Sequence, residues 1–228
     1  MVRIKYQVMA SFVFFCVDAQ QDFFKAGLVD IPFSESILEK LDILTKLAKA
    51  NNIKTVSSIR WFKEDSSFFS EMPDYREKLP KHCVKDTKGA RFINQTAPDD
   101  YYLLNWESPN GLAFQHIHAN RNIVVTKKVD ELFEGNSFFE SIIHNLGVPF
   151  MERPTFIVYG VEIGKTVLGL LKRGYTVSVV EDANININGQ PFKKEDIIRP
   201  QTSPDADIKP KEVVDLNFIK TKDFLPNE

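Results

Sequence analysis

Cysteine is scarce in this chain: Cys16 and Cys83 are the only two. A disulfide scaffold is therefore not indicated, and a reducing cytosol is the simplest home, so the expected location is cytoplasmic. An excess of one charge is also missing. The 29 Lys and Arg nearly balance 31 Asp and Glu, for a formal net charge of -2. That leaves no electrostatic footprint for a nucleic-acid partner. No run reaches the ~18 apolar residues of a membrane span, so no membrane partner is expected either. The opening MVRIKYQVMASFVFFCVDAQ couples basic residues to an apolar stretch, as a signal peptide does. That stretch ends in Asp18 without a small-residue cleavage site, and it reads as a first strand. Internal repeats and low-complexity tracts are absent.

What is abundant is phenylalanine, 19 in 228 residues, which implies bulky packing or a large aromatic interface. Hydrophobic residues at 43% and charged residues at 26% give an ordinary globular balance. The length suits one domain over residues 1–228, with no linker near the middle.

Along the chain, strand-like runs alternate with helix-like ones. Phe12–Val17 is continuously apolar, as in a strand covered on both faces. Ser34–Asn51 reads as a helix capped by Ser34, with Ile37, Leu38, Leu41, Leu44, Leu47 and Ala48 in a stripe. Strands are expected over Ile53–Ile59, Ile123–Thr126, Phe156–Val161 and Val177–Glu181. Helices are expected over Asn136–Asn145, ended by Gly147 and Pro149, and over Lys165–Lys172, stopped by Gly174. The alternation predicts an α/β fold of three layers, with a mainly parallel sheet and helices on both faces. Ser66–Gly111 reads as long loops. Residues 184–211 carry Pro191, Pro200, Pro204 and Pro210 and should not form a long helix. Val213–Ile219 could be a last edge strand.

Parallel sheets of this kind place ligands at the carboxyl ends of their strands. Asp18, Arg60, Lys127 and Glu162 stand there. Lys128 competes with Lys127 for one role, and both could be surface charges. Thr166 lies on the first turn of the helix after FIVYGV, where its hydroxyl could simply bond the backbone. His82 next to Cys83 suggests a dyad, but adjacent residues rarely face each other. His116 and His118 could share a strand face, although no third metal ligand is visible. GVEIGKT falls one residue short of a phosphate-binding loop.

Four segments carry a resemblance. FVFFCVDAQQDFFKAG resembles the opening of the isochorismatase-like hydrolases, which include the nicotinamidases, with their Asp-x-Gln-x-Asp-Phe motif. HCVKDTKGARF (82–92) is similar to their His-Cys-x-x-x-Thr-x-Gly-Ala segment. TKKVDELFEGN (126–136) resembles their strand-end lysine with a Phe six residues on. VYGVEIGKTVLGLLKRGYTVSVVEDA (158–183) is similar to their nucleophile helix and final strand. The resemblance implies Asp18 as general base, Lys127 beside it, and backbone oxyanion donors at Glu162 and Thr166, near an unusual cis peptide. It also implies a small-molecule substrate and a homo-oligomer.

Two departures limit this. The family's nucleophilic cysteine position holds Thr166, whose hydroxyl is hardly ionised near neutrality. The Asp-x-His metal pair of nicotinamidases is replaced by Arg60-Trp61-Phe62, so no metal or other cofactor is expected. Arg60 could instead grip a carboxylate substrate. Two expectations follow. One is a hydrolase of a small, carboxylated or cyclic substrate, acting through Asp18, Lys127 and water. The other is a member without catalysis, serving as a binding or assembly module. A hydrolase should keep an open pocket around Asp18; a retired site should be plugged.

Overall fold

A computed structural model describes residues 12–75, 78–107, 117, 119–146, 153–198 and 215–225. His116 and His118, and the expected stop at Gly147 and Pro149, lie outside the described residues.

The strands are β1 (Phe12–Val17), β2 (Lys54–Arg60), β3 (Tyr102–Leu104), β4 (Asn122–Lys127), β5 (Thr155–Val161), β6 (Val177–Ile185) and β7 (Leu216–Ile219). They form one seven-stranded sheet in the order β3-β4-β2-β1-β5-β6-β7, and every pairing between them is parallel. The helices are α1 (Leu38–Ala50), α2 (Leu132–Gly135), α3 (Phe138–Ile143), α4 (Gly164–Lys172) and α5 (Glu195–Ile198). Alternate residues of the apolar strands feed two separate cores. Phe15, Val17, Val125 and Val158 pack with α2, α3 and α4 on one face. Phe14, Cys16, Tyr159 and Val180 pack with Leu41 and Leu44 of α1 on the other. Burial on both faces is why these strands read as unbroken apolar runs. The three-layer α/β architecture is the expected one.

Several elements differ from expectation. The chain does not enter α1 through a Ser34 cap. Phe33 adopts a left-handed φ of 62° and Ser34–Ile37 forms a 3-10 turn, so the α-helix begins at Leu38. The helix expected over Asn136–Asn145 is the shorter α3, and a separate one-turn helix, α2, precedes it. Asn136 separates them, because its side-chain amide donates to the carbonyls of Leu104 and Thr126 and its oxygen accepts from the Phe138 N–H. β6 runs past Glu181 to Ile185 with a break in register, so that Val158 pairs with Val179 but Gly160 with Asn184. Asn184 stabilises that break, donating to Val180 O and accepting from the Phe192 N–H. Within Ser66–Gly111 the short edge strand β3 was not foreseen.

Candidate functional site

The site grows from the carboxyl edge of β1, β2 and β4. In register, Val17 faces Ser58 and Arg60 faces Lys127. Just past β1, Asp18 takes a left-handed φ of 46°, a conformation that Asp tolerates better than most residues. Its N–H donates to Ser58 O, and this holds the turn. The rest of the Asp-x-Gln-x-Asp-Phe motif is scaffolding. Buried Gln20 donates to the carbonyls of Arg60 and Ala90 and accepts from the Arg60 N–H. Asp22 accepts from the Cys83 N–H at 2.6 Å and from Leu28 N–H. Phe23 lies under the Arg60 guanidinium, 4.8 Å from ring centroid to Cζ.

These constraints gather Asp18, Arg60, Lys127 and Asp130 into one ion-pair cluster. Asp18 Oδ2 lies 2.8 Å from Lys127 Nζ and 2.9 Å from Arg60 Nε. Its Oδ1 accepts from the Ser58 hydroxyl at 2.9 Å. Arg60 Nη1 reaches Asp130 Oδ1 at 3.0 Å, and Lys127 Nζ donates to Asp130 O at 2.7 Å. Lys165 stands 3.6 Å from the other Asp130 oxygen. Asp18, Arg60 and Lys127 expose no more than 2% of their side chains, whereas Asp130 is partly open. Burial works against the charge on Arg60, but Asp130 and Asp18 outweigh it and hold the guanidinium protonated. The same guanidinium pulls Asp130 down to about 2. Gly135 makes room for the lysine, since a Cβ there would lie 2.6 Å from Lys127 Cβ.

His82 joins the cluster from the loop before Cys83. Its Nδ1 meets Pro80 O at 2.7 Å and its Nε2 meets Arg60 Nη1 at 3.3 Å. One neighbour can only accept and the other can only donate, so the ring is neutral with its proton on Nδ1. Burial, then the Arg60 charge, lowers its pKa to about 4. Neither ring nitrogen faces the adjacent thiol, so no Cys–His dyad forms. Burial raises the pKa of both Cys16 and Cys83, leaving neither as a ready thiolate.

No hydrogen bond or ion pair joins Thr166 or Glu162 to this cluster among the described residues, although the Glu162 charge helps to hold Arg60 protonated. The Thr166 side chain is buried, and its hydroxyl has no hydrogen-bond partner among the described residues. Glu162, at a φ of 52°, spends its N–H on Ile185 O at 2.9 Å, and its carboxylate accepts from the Ile187 N–H. That N–H is thus not free to hold an oxyanion. Among the described residues no peptide bond is cis. The Arg60 side chain is 2% exposed, and its guanidinium is taken up by Asp18 and Asp130. Ser58, His82 and Asp130 were missed as members of the cluster. Asp130 carried only the weak signal of lying three residues beyond the strand-end lysine.

The fold is similar to that of several solved amidases and of an isochorismatase-like hydrolase. It is similar to a pyrazinamidase of Pyrococcus horikoshii solved with zinc, at 21% identity and a TM-score of 0.60 over 92% of this chain and 99% of that one. It is also similar to the N-carbamoylsarcosine amidase of Thermoplasma acidophilum, at 15% identity, TM-score 0.59, over 92% and 96%. A putative isochorismatase hydrolase of Oleispira antarctica aligns at 14% identity, TM-score 0.54, over 78% of each chain. No family model matches the sequence, and no curated protein is significantly similar to it. At these identities the likeness establishes the fold. Zinc, as held by the first neighbour, does not fit the residues present. Arg60 sets a fixed cation against His82 Nε2, and Phe62 is buried among Phe68, Phe69 and His82. Among the described residues no three His, Cys, Asp or Glu side chains gather as a metal site, and no helix is long and apolar enough to cross a membrane.

Proposed function

We propose that this chain keeps the scaffold of an isochorismatase-like hydrolase but has a plugged hydrolytic centre, and serves as a binding or assembly module. The observation that carries this is the Arg60 guanidinium, buried between Asp18 and Asp130. A general base must meet the proton it abstracts. Here three donors already occupy the Asp18 oxygens, and the Thr166 hydroxyl bonds to nothing. The plug is the Arg60 guanidinium itself. The homo-oligomer implied by the resemblance belongs to the same proposal, and sedimentation velocity checks it.

A second reading keeps hydrolysis. The Asp18–Lys127 pair at 2.8 Å favours it, as does the company of amidases among the structural neighbours. Water would attack a small carboxylated or cyclic substrate, with Asp18 as base and Lys127 steadying the developing charge, once Arg60 withdrew. Turnover of nicotinamide, pyrazinamide, N-carbamoylsarcosine and isochorismate by wild type, Asp18→Asn and Thr166→Cys separates the two. The plugged centre gives no wild-type turnover above Asp18→Asn, and no amidase activity in Thr166→Cys. Wild-type turnover that Asp18→Asn abolishes would establish the second reading instead.

A further inference from the structure

The segment HCVKDTKGARF meets the Asp18 cluster through His82 and, by way of Gln20, through the Ala90 carbonyl. Its residues Val84, Lys85, Thr87, Lys88 and Gly89 wall a separate cleft of about 900 Å³, closed on the other side by residues 21–28. That volume is in the range of small-molecule sites. Its floor is apolar: Phe24 and Ile93 are nearly buried there, beside Pro80 and Val84. Its rim carries Lys25, Lys81, Lys85 and Lys88. Two carboxylates also line it, and only one of them, Glu64, neutralises a rim lysine. Asp22 is buried, with its oxygens given to the backbone N–H groups of Cys83 and Leu28. Glu64 is matched to Lys81 alone, at 2.7 Å. Lys85 pairs with Glu107, and Lys25 touches Glu35 only at 3.8 Å. No ion pair engages Lys88 among the described residues.

We propose that this cleft binds a small amphipathic organic anion, a phosphate or carboxylate carried on a ring-sized apolar body. The lysine rim selects the charge, and the floor of Phe24, Val84 and Ile93 selects the body. Asp18, Arg60, Lys127 and Thr166 do not line the cleft, so the proposal holds whether or not that cluster turns over substrate. The site also has a built-in reporter. Lys85 Nζ lies 5.6 Å from the Trp61 ring centroid, and Trp61 is one of only two tryptophans in the chain. An anion that draws Lys85 away alters the Trp61 emission.

The test titrates the full chain with phenyl phosphate, benzoate, inorganic phosphate and phenol, following tryptophan emission and heat. Phenyl phosphate or benzoate is expected to saturate below ~1 mM, and the tighter of the two identifies the head group. Inorganic phosphate and phenol should bind at least about tenfold more weakly, because each offers half of the match. Lys88→Glu, at an exposed position, should weaken binding about tenfold. Lys172→Glu makes the same charge change at the exposed last residue of α4 and should leave binding intact. The proposal is overturned by an absence of saturable binding up to about 10 mM. It is equally overturned if inorganic phosphate matches phenyl phosphate, if Lys88→Glu changes nothing, or if Lys172→Glu weakens binding as much as Lys88→Glu does.

Discussion

Replacing Arg60 by alanine tests the plugged centre most directly. Its guanidinium contacts Asp18 at 2.9 Å and Asp130 at 3.0 Å from a side chain only 2% exposed. Breaking a buried pair from one side costs about 3–5 kcal/mol, because the other charge stays behind. Asp18 would keep Lys127 and Ser58, and Asp130 can find water. The loss should therefore fall near the lower figure, about 3 kcal/mol. In a domain of this size that lowers Tm by roughly 6–12 °C. Urea unfolding at pH 7 measures it, provided the slope with denaturant is unchanged. An Arg60 held out toward a substrate would behave as a surface residue, with an effect within about 0.5 kcal/mol. A double-mutant cycle with Asp18→Asn isolates the pair, and a coupling of about 1–3 kcal/mol is expected. A single-mutant loss below about 1 kcal/mol, or no coupling, would refute the plug.

The neutral His82 makes stability sensitive to mild acid. Unfolded, it binds a proton below about pH 6.5, whereas folded it does so only near 4. Between those values the unfolded state takes up the proton, so stability falls as pH drops. The loss should be about 2 kcal/mol from pH 7 to pH 5, and His82→Gln should remove it from the urea midpoints. Thr166→Val replaces a buried, unpartnered hydroxyl by a methyl group of similar size, and should raise stability by about 1 kcal/mol in the same assay; a loss would mean that the hydroxyl has a partner. Gly160 has a φ of +116°, and a Cβ there would lie 2.2 Å from Val17 O. Gly160→Ala should therefore cost more than about 3 kcal/mol, or abolish soluble expression, because β1 and β5 cannot separate without opening the sheet.

The fold was legible because its signals are local. Continuous apolar runs marked strands buried on both faces, and the spacing of Leu41, Leu44 and Leu47 marked α1. Positions along the rim followed from strand ends alone, which is how Asp18, Arg60 and Lys127 were found. What the sequence hid depends on contacts between distant segments. Asn136 stays outside the helix expected to begin there because carbonyls of Leu104 and Thr126 lie within reach of its amide. β3 is three residues long and owes its existence to the free edge of β4. The direction of the Arg60 side chain was not readable either. A strand-end arginine reads the same whether it points out to a substrate or folds back onto a neighbouring strand's aspartate.

That direction links the two departures from the hydrolase pattern. In a cysteine hydrolase of this plan the aspartate takes a proton from the nucleophile, so its free lone pairs must face position 166. A carboxylate has roughly four acceptor sites, and here three already receive Ser58, Arg60 and Lys127. Arg60 stands where the first metal-binding residue of the pattern would stand, so that one residue both removes a metal ligand and takes up Asp18, while Phe62 removes the second ligand. On the proposed reading of a plugged centre, position 166 has no base to serve, and a side chain there has only to fill space. Threonine does that, with its hydroxyl buried and unpaired. The unpaired hydroxyl, which looks like an oddity when Thr166 is taken alone, follows from the occupation of Asp18.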